Sequence, residues 1–222
     1  MRIIPTILEK NKKNFEYQLQ RLKLYFNHFH VDIADQIFVN NKTINIKEMA
    51  SSINKTNNNN LIFDFHLMVK DYKKHVEEIS KISKIIKIKR VFIHLSQNPD
   101  IQKLKKIYPE FSFGIVLNPE DRVKTIEQKI DLKDIDSILI MTVYPGFQGS
   151  SFLQDMLIKV EQAKNTYVNK TILIDGGVNS KTLSDIVSKR YRPDILCVGS
   201  YLTKSDNVKI SVERAKAIIN GV

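Results

Sequence analysis

The chain has 222 residues, 42% of them apolar and 27% charged, the proportions of a globular protein with a large core. Its net charge of +11 admits an acidic partner, but the 35 Lys and Arg residues are spread along the chain without an aromatic-basic stripe, which disfavours nucleic acid. One cysteine, Cys197, excludes a disulfide framework, and no 18-residue apolar run offers a membrane span.

The first apolar run, Ile3 to Leu8, reads as a strand, and the charged segment Glu9-Lys10-Asn11-Lys12-Lys13 follows too soon for a secretory leader. A cytoplasmic location is expected. Phe15, Leu19, Leu22 and Phe26 have helical spacing. Next comes Phe29-His30-Val31-Asp32-Ile33-Ala34-Asp35, a strand whose alternation puts His30, Asp32 and Ala34 on one face. A short helix fits 44–53, and Asn57 to Asn60 form a low-complexity loop. Leu61 to Val69 is a third strand with His66 within it, and a helix fits 71–82. The basic group Lys81, Lys84, Lys87, Lys89 and Arg90 then falls where a helix should end before a strand, and solvent exposure is expected there.

Val91 to Ser96 is a fourth strand, followed by a helix near 99–107. Ser112 to Leu117 is a fifth, closed by Asn118-Pro119, with a helix expected from 119 to about 130. Ser137 to Val143, Thr171 to Ile174 and Ile195 to Val198 are the sixth, seventh and eighth strands. Helices are expected over 152–163, 180–187 and 208–219. The strands are continuous apolar runs, as expected when both faces are covered, and strands alternating with helices imply parallel pairing. Eight such units predict an α/β chain folded as one (β/α)8 barrel domain over 1–222.

In such a barrel the chemistry collects at the C-terminal ends of the strands. Those ends carry Thr6, His30, Asp32, His66, His94, Asn118, Thr142 and Asp175. The second, third and seventh strands together offer two histidines and two carboxylates, a set able to ligate one divalent ion such as Zn, Fe, Mn or Co. Five of the seven glycines sit in the turns after strands six, seven and eight, where backbone N–H groups can approach an anion.

The segments Ile4-Pro5-Thr6-Ile7-Leu8, His30 to Asp35, His66-Leu67-Met68-Val69, Leu117-Asn118-Pro119, Met141 to Phe147, Asp175-Gly176-Gly177 and Gly199-Ser200 resemble those of the ribulose-phosphate 3-epimerase family, in the family's order. The resemblance implies a metal-dependent epimerase of D-ribulose 5-phosphate and D-xylulose 5-phosphate, in carbohydrate metabolism and the pentose phosphate pathway. It implies His30, Asp32, His66 and Asp175 as ligands of one divalent metal ion, and Asp32 and Asp175 as the acid/base pair. Thr6, His66 and Asp175 would meet substrate, as would Gly146, Phe147, Gln148, Gly149, Gly176, Gly177, Gly199 and Ser200. Ala34, Met68 and Met141 are expected to wall the pocket. The expected partners are a ketose phosphate and further copies of the chain in a homo-oligomer, with no nucleic acid and no membrane.

Several positions depart from the family pattern: Thr6 for serine, Ala34 for methionine, Gln36 for glycine, Ser96 for glutamate, and Tyr144 and Gln148 in the phosphate loop. Ala34 is expected to enlarge the pocket, which motivates a rival reading, a 3-epimerase of a hexulose 6-phosphate such as allulose 6-phosphate. A non-catalytic sugar-phosphate-binding homologue is the reading from another class.

Overall fold

The structure, a computed structural model, describes residues 1–54, 60–147 and 149–221. Its strands are β1 (Arg2–Ile7), β2 (His28–Ala34), β3 (Ile62–Met68), β4 (Lys87–His94), β5 (Ser112–Leu117), β6 (Ser137–Met141), β7 (Thr171–Asp175) and β8 (Ile195–Val198). They pair in parallel in chain order, and β8 closes on β1 through Ile4↔Cys197 and its neighbours. The helices are α1 (Lys12–Leu22), α2 (Ile46–Asn54), α3 (Tyr72–Ile82), α4 (Ile101–Ile107), α5 (Thr125–Lys129), α6 (Met156–Thr166), α7 (Ser180–Ser188), α8 (Ser200–Thr203) and α9 (Val208–Asn220). This is the (β/α)8 barrel that the alternation of runs implies. Of the Asn57–Asn60 loop, Asn57 to Asn59 lie outside the described residues, as does Gln148.

Strand alternation builds two cores. Outward residues such as Phe29, Val31, Phe63, Phe65 and Leu67 pack under the helices in one large cluster. Inward residues Ile4, Phe92, Val116, Leu139, Met141, Leu173 and Cys197 fill the barrel. Each large side chain so buried contributes roughly 1.5–3 kcal/mol. The many Asn and Asp residues also have local work: Asn11, Asp71, Asp100, Asn179 and Asn207 accept backbone N–H bonds at helix starts. Such caps contribute about 1 kcal/mol each.

Three of the differences between the structure and the sequence reading bear on the site, beyond shifts of a few residues such as a sixth-unit helix that starts at Met156. First, β4 begins at Lys87, so the basic group continues into a strand. Lys87 and Lys89 are exposed, but Arg90 alternates inward with Phe92 and His94 and is buried, with Asp64 opposite it in register and its Nη1 2.9 Å from Asp64 Oδ2. Second, the helix expected over 119–130 is only α5, because Asn118 N–H donates to Asp121 Oδ2 and Lys159 Nζ donates to the carbonyls of Asn118 and Pro119. Third, Gly199 leads directly into α8, a single short turn of helix absent from the reading. Among the described residues no helix is long and apolar enough to cross a membrane.

Candidate active site

The barrel register brings the strand-end residues together. Asp32 pairs with His66 across β2 and β3, and Asp175 lies between Met141 and Cys197 across β6, β7 and β8. His30, Asp32, His66 and Asp175 are all buried, and one ligating atom from each lies within 4.8 Å of the others. His66 Nδ1 is 2.9 Å from Asp32 Oδ1 and 3.7 Å from Asp175 Oδ2, while His30 Nε2 is 3.6 Å from Asp32 Oδ1. Neither ring nitrogen of His30 has a hydrogen-bond partner.

Burial drives the His30 pKa down to about 4, against the pull of the Asp32 charge. Burial also pushes the Asp175 carboxyl well above its ordinary value, and the charge of Asp32 adds to the effect. Thr142 fixes the strand end beside it: its N–H and its hydroxyl both donate to the Asp175 carbonyl, at 2.8 and 3.0 Å.

A cavity opens above this cluster. Its wall carries Thr6, Leu8, Asp32, Met68, Met141, Val143, Asp175 and Val178, and its rim the turns Pro145-Gly146-Phe147, Gly149, Gly176-Gly177 and Gly199-Ser200. Gly176 is required there: φ is +110°, and a Cβ would stand 2.3 Å from Val143 Cγ2. Thr6 Oγ1 is buried without a partner. His30 and His66 are fully buried below the wall.

A family model described as the ribulose-phosphate 3 epimerase family matches residues 2–203. The chain belongs to the ribulose-phosphate 3-epimerase family. It is therefore an enzyme, an isomerase of the epimerase type, and its family places it in pentose phosphate metabolism. The "Ribulose-phosphate 3-epimerase" of Bacillus subtilis is 32% identical over 69% of this chain and 70% of that protein. The one from Encephalitozoon cuniculi is 31% identical over 86% of this chain and 84% of its own length. Among solved structures, 3-hexulose-6-phosphate synthase from Salmonella typhimurium superposes with a TM-score of 0.70 at 11% identity, covering 100% of this chain and 99% of that one. Orotidine 5'-phosphate decarboxylase from Pyrococcus horikoshii OT3 gives 0.68 at 12% identity, covering 99% of this chain and 100% of that one. These likenesses concern the fold alone.

The buried cluster fits a divalent ion. Two imidazoles and two carboxylates are a donor set suited to zinc, iron, manganese or cobalt. The orphaned nitrogens of His30 agree with it, since a buried polar group without a partner is costly.

The departures from the family pattern fall in different places. Ala34 is buried with Val39 and Met68, packed by Leu8 and Phe38, and is absent from the cavity wall. The expected widening of the pocket at Ala34 is therefore not seen, because protein side chains occupy that side. Gln36 has φ +67°, the left-handed region in which glycine is at ease. Ser96 and Tyr144 are exposed. The sequence reading named His94 and Asn118 as strand-end polar residues but gave them no role. It gave no place at the site to Phe38, whose ring packs 4.8 Å from that of His94, or to Asn41, whose Nδ2 donates to the Gly146 carbonyl at 2.7 Å. Their signal was faint, since both sit in the loop after β2 and reach the site only through the fold.

Proposed function

We propose that the chain interconverts D-ribulose 5-phosphate and D-xylulose 5-phosphate by epimerisation at C3. The observation that carries this reading is a pair of buried carboxylates from separate strands, Asp32 on β2 and Asp175 on β7, on the wall of one cavity. Epimerisation removes a proton beside the C2 ketone and returns one on the opposite face, so a single base would tend to restore the starting sugar. Two carboxylates divide the work: one takes the C3 proton, giving an enediolate, and the other delivers a proton from the far side. His30, Asp32, His66 and Asp175 would hold one divalent ion, which when bound supplies Lewis-acid stabilisation at the C2 and C3 oxygens.

The rest of the cavity suits a ketose phosphate. Backbone N–H groups at Gly146, Gly149, Gly176, Gly177, Gly199 and Ser200 receive the phosphate end. The Thr6 hydroxyl, which lacks a protein partner, bonds a sugar hydroxyl. Met68 and Met141 shield the reacting carbon from water. The assembly in this reading is a homo-oligomer, and no nucleic acid takes part.

The test is turnover in deuterium oxide with the divalent ion supplied. D-ribulose 5-phosphate should become D-xylulose 5-phosphate with deuterium at C3. Faster turnover of a hexulose 6-phosphate would assign the enzyme to six-carbon substrates instead. No exchange at C3 of either sugar would leave a sugar-phosphate-binding barrel.

A further inference from the structure

The inward faces of β3 and β4 and the residue just after β5 carry hydrogen bonds that acid–base chemistry at Asp32 and Asp175 does not use. His66 Nε2 lies 2.9 Å from His94 Nε2, and His94 Nδ1 lies 2.9 Å from Asn118 Oδ1. All three side chains are buried. The far end is anchored: Asn118 N–H donates to Asp121 Oδ2 at 2.8 Å, and Lys159 Nζ donates to the Asn118 carbonyl at 3.1 Å. The His66 and His94 rings stack with centroids 5.0 Å apart, and Phe38 packs on His94. Neither His94 nor Asn118 lies on the cavity wall.

A neutral imidazole carries one proton, on one of its two nitrogens. The Asn118 oxygen only accepts, so His94 bears its proton on Nδ1 and donates it there. His94 Nε2 is then a bare lone pair, able only to accept. His66 must supply that bond, which places its proton on Nε2. Its other nitrogen, Nδ1, is left with a lone pair directed at Asp32 Oδ1, 2.9 Å away, and Asp175 Oδ2, 3.7 Å away, where either a carboxyl proton or a cation can meet it. The opposite orientation of the Asn118 amide would reverse every link and put the proton on His66 Nδ1, where it blocks a cation.

The geometry points to His94 and Asn118 as positioning residues that hold His66 in the tautomer whose Nδ1 ligates a divalent cation. The inference rests on the metal reading above and deepens it. The pair acts through His66, since it meets neither the cavity nor the other three candidate ligands. Partners of this kind set ligand orientation and basicity, and their loss typically costs roughly 10–100-fold in metal affinity.

The test measures Zn²⁺ affinity by competition with a chromophoric chelator, for wild type, Asn118→Leu and Asn118→Asp. Leucine removes the acceptor; aspartate presents an oxygen whichever way it turns. Asn118→Leu should bind zinc roughly 10–100-fold more weakly, and Asn118→Asp should stay close to wild type. Equal affinity in Asn118→Leu and wild type overturns the inference, and so does equal weakening in both variants, which would mark a packing role. Should Asn118→Leu fail to fold, long-range ¹H–¹⁵N couplings in zinc-loaded wild type decide the matter. They should place protons on His94 Nδ1 and His66 Nε2; a proton on His94 Nε2 overturns the relay while leaving the metal site standing. A wild-type chain that takes up no divalent ion overturns the metal reading itself, and the relay with it.

Discussion

The barrel interior holds two buried clusters of histidine and aspartate that share three strands, the upper one adding Asp175 of β7. Near the strand starts are His28 of β2, Asp64 of β3 and Arg90 of β4; near the ends are His30 and Asp32, His66 and His94. The lower cluster balances itself. Asp64 Oδ2 lies 2.9 Å from Arg90 Nη1 and 3.0 Å from His28 Nε2. Burial alone would raise the Asp64 pKa, but the His28 hydrogen bond and the charges of His28 and Arg90 together hold it below the ordinary carboxylate value. The upper cluster has two carboxylates, and among the described residues no Lys or Arg forms an ion pair with them. There Asp175 is pushed up, and His30 Nε2 has only the Asp32 carboxylate, 3.6 Å away. Residue type therefore does not separate a self-balanced cluster from one that can take a metal ion. The presence of an internal counter-charge does.

The largest expected effect lies in the upper cluster. Asp175→Asn should lower turnover roughly 10²–10⁴-fold, the usual contribution of a general acid or base. Its thermal stability should stay within about 1 kcal/mol of wild type, because a neutral amide replaces a carboxyl that burial already favours as neutral. Near-native turnover in a coupled assay would remove Asp175 from the proton transfer.

The lower cluster should answer in stability instead. Arg90→Met leaves Asp64 buried without its guanidinium and should cost about 3–5 kcal/mol in denaturant unfolding. Adding Asp64→Leu should recover most of that loss, since an apolar pair removes the uncompensated charge. A single variant as stable as wild type would mean that the pair does not balance the lower cluster.

A divalent ion should sharpen the contrast. At about 100 times its dissociation constant it should stabilise the chain by about 2.7 kcal/mol, and a chelator should reverse the gain. His30→Leu should abolish the gain while changing metal-free stability by only about 1 kcal/mol, because the ring nitrogens of His30 have no hydrogen bond to lose. Arg90→Met, where it folds, should keep the gain. A metal-induced shift that survives in His30→Leu would exclude His30 from the ligand set.

Much of this was legible in the sequence, for definite reasons. Strands covered on both faces write themselves as apolar runs, so the barrel could be read from spacing alone. His30 and Asp32 share a face by simple alternation, and the barrel rule locates the strand ends. What was not legible depended on neighbours across the sheet. Arg90 looked like one more solvated cation until the register set it opposite Asp64. Ala34 looked like open space until the loop after β2 laid Val39 and Phe38 beside it. The bonds joining His66, His94 and Asn118 need three strands in register, which no single segment shows.

The smallest expected effect tests whether the upper half also stores backbone strain. The loop after β2 is held by Asp35, whose Oδ1 accepts from the N–H groups of Ile37 and Phe38, both at 2.8 Å, and whose Oδ2 accepts from Lys70 N–H at 2.7 Å. Gln36 N–H donates to the Asn41 carbonyl at 2.8 Å, and Asn41 in turn bonds the Gly146 carbonyl. These bonds force Gln36 to φ +67°, a conformation that costs a residue with a Cβ about 1–2 kcal/mol. Glycine escapes that cost but loses more chain entropy on folding, about 0.5–1 kcal/mol. The net expectation for Gln36→Gly is a gain of about 0.5–1 kcal/mol, seen as a rise of a few degrees at most in thermal unfolding. Turnover should be unchanged, because the bonds from Asp35 and Asn41 already fix the loop that meets Gly146. A loss of stability would mean that the Gln36 side chain makes contacts worth more than the strain it carries.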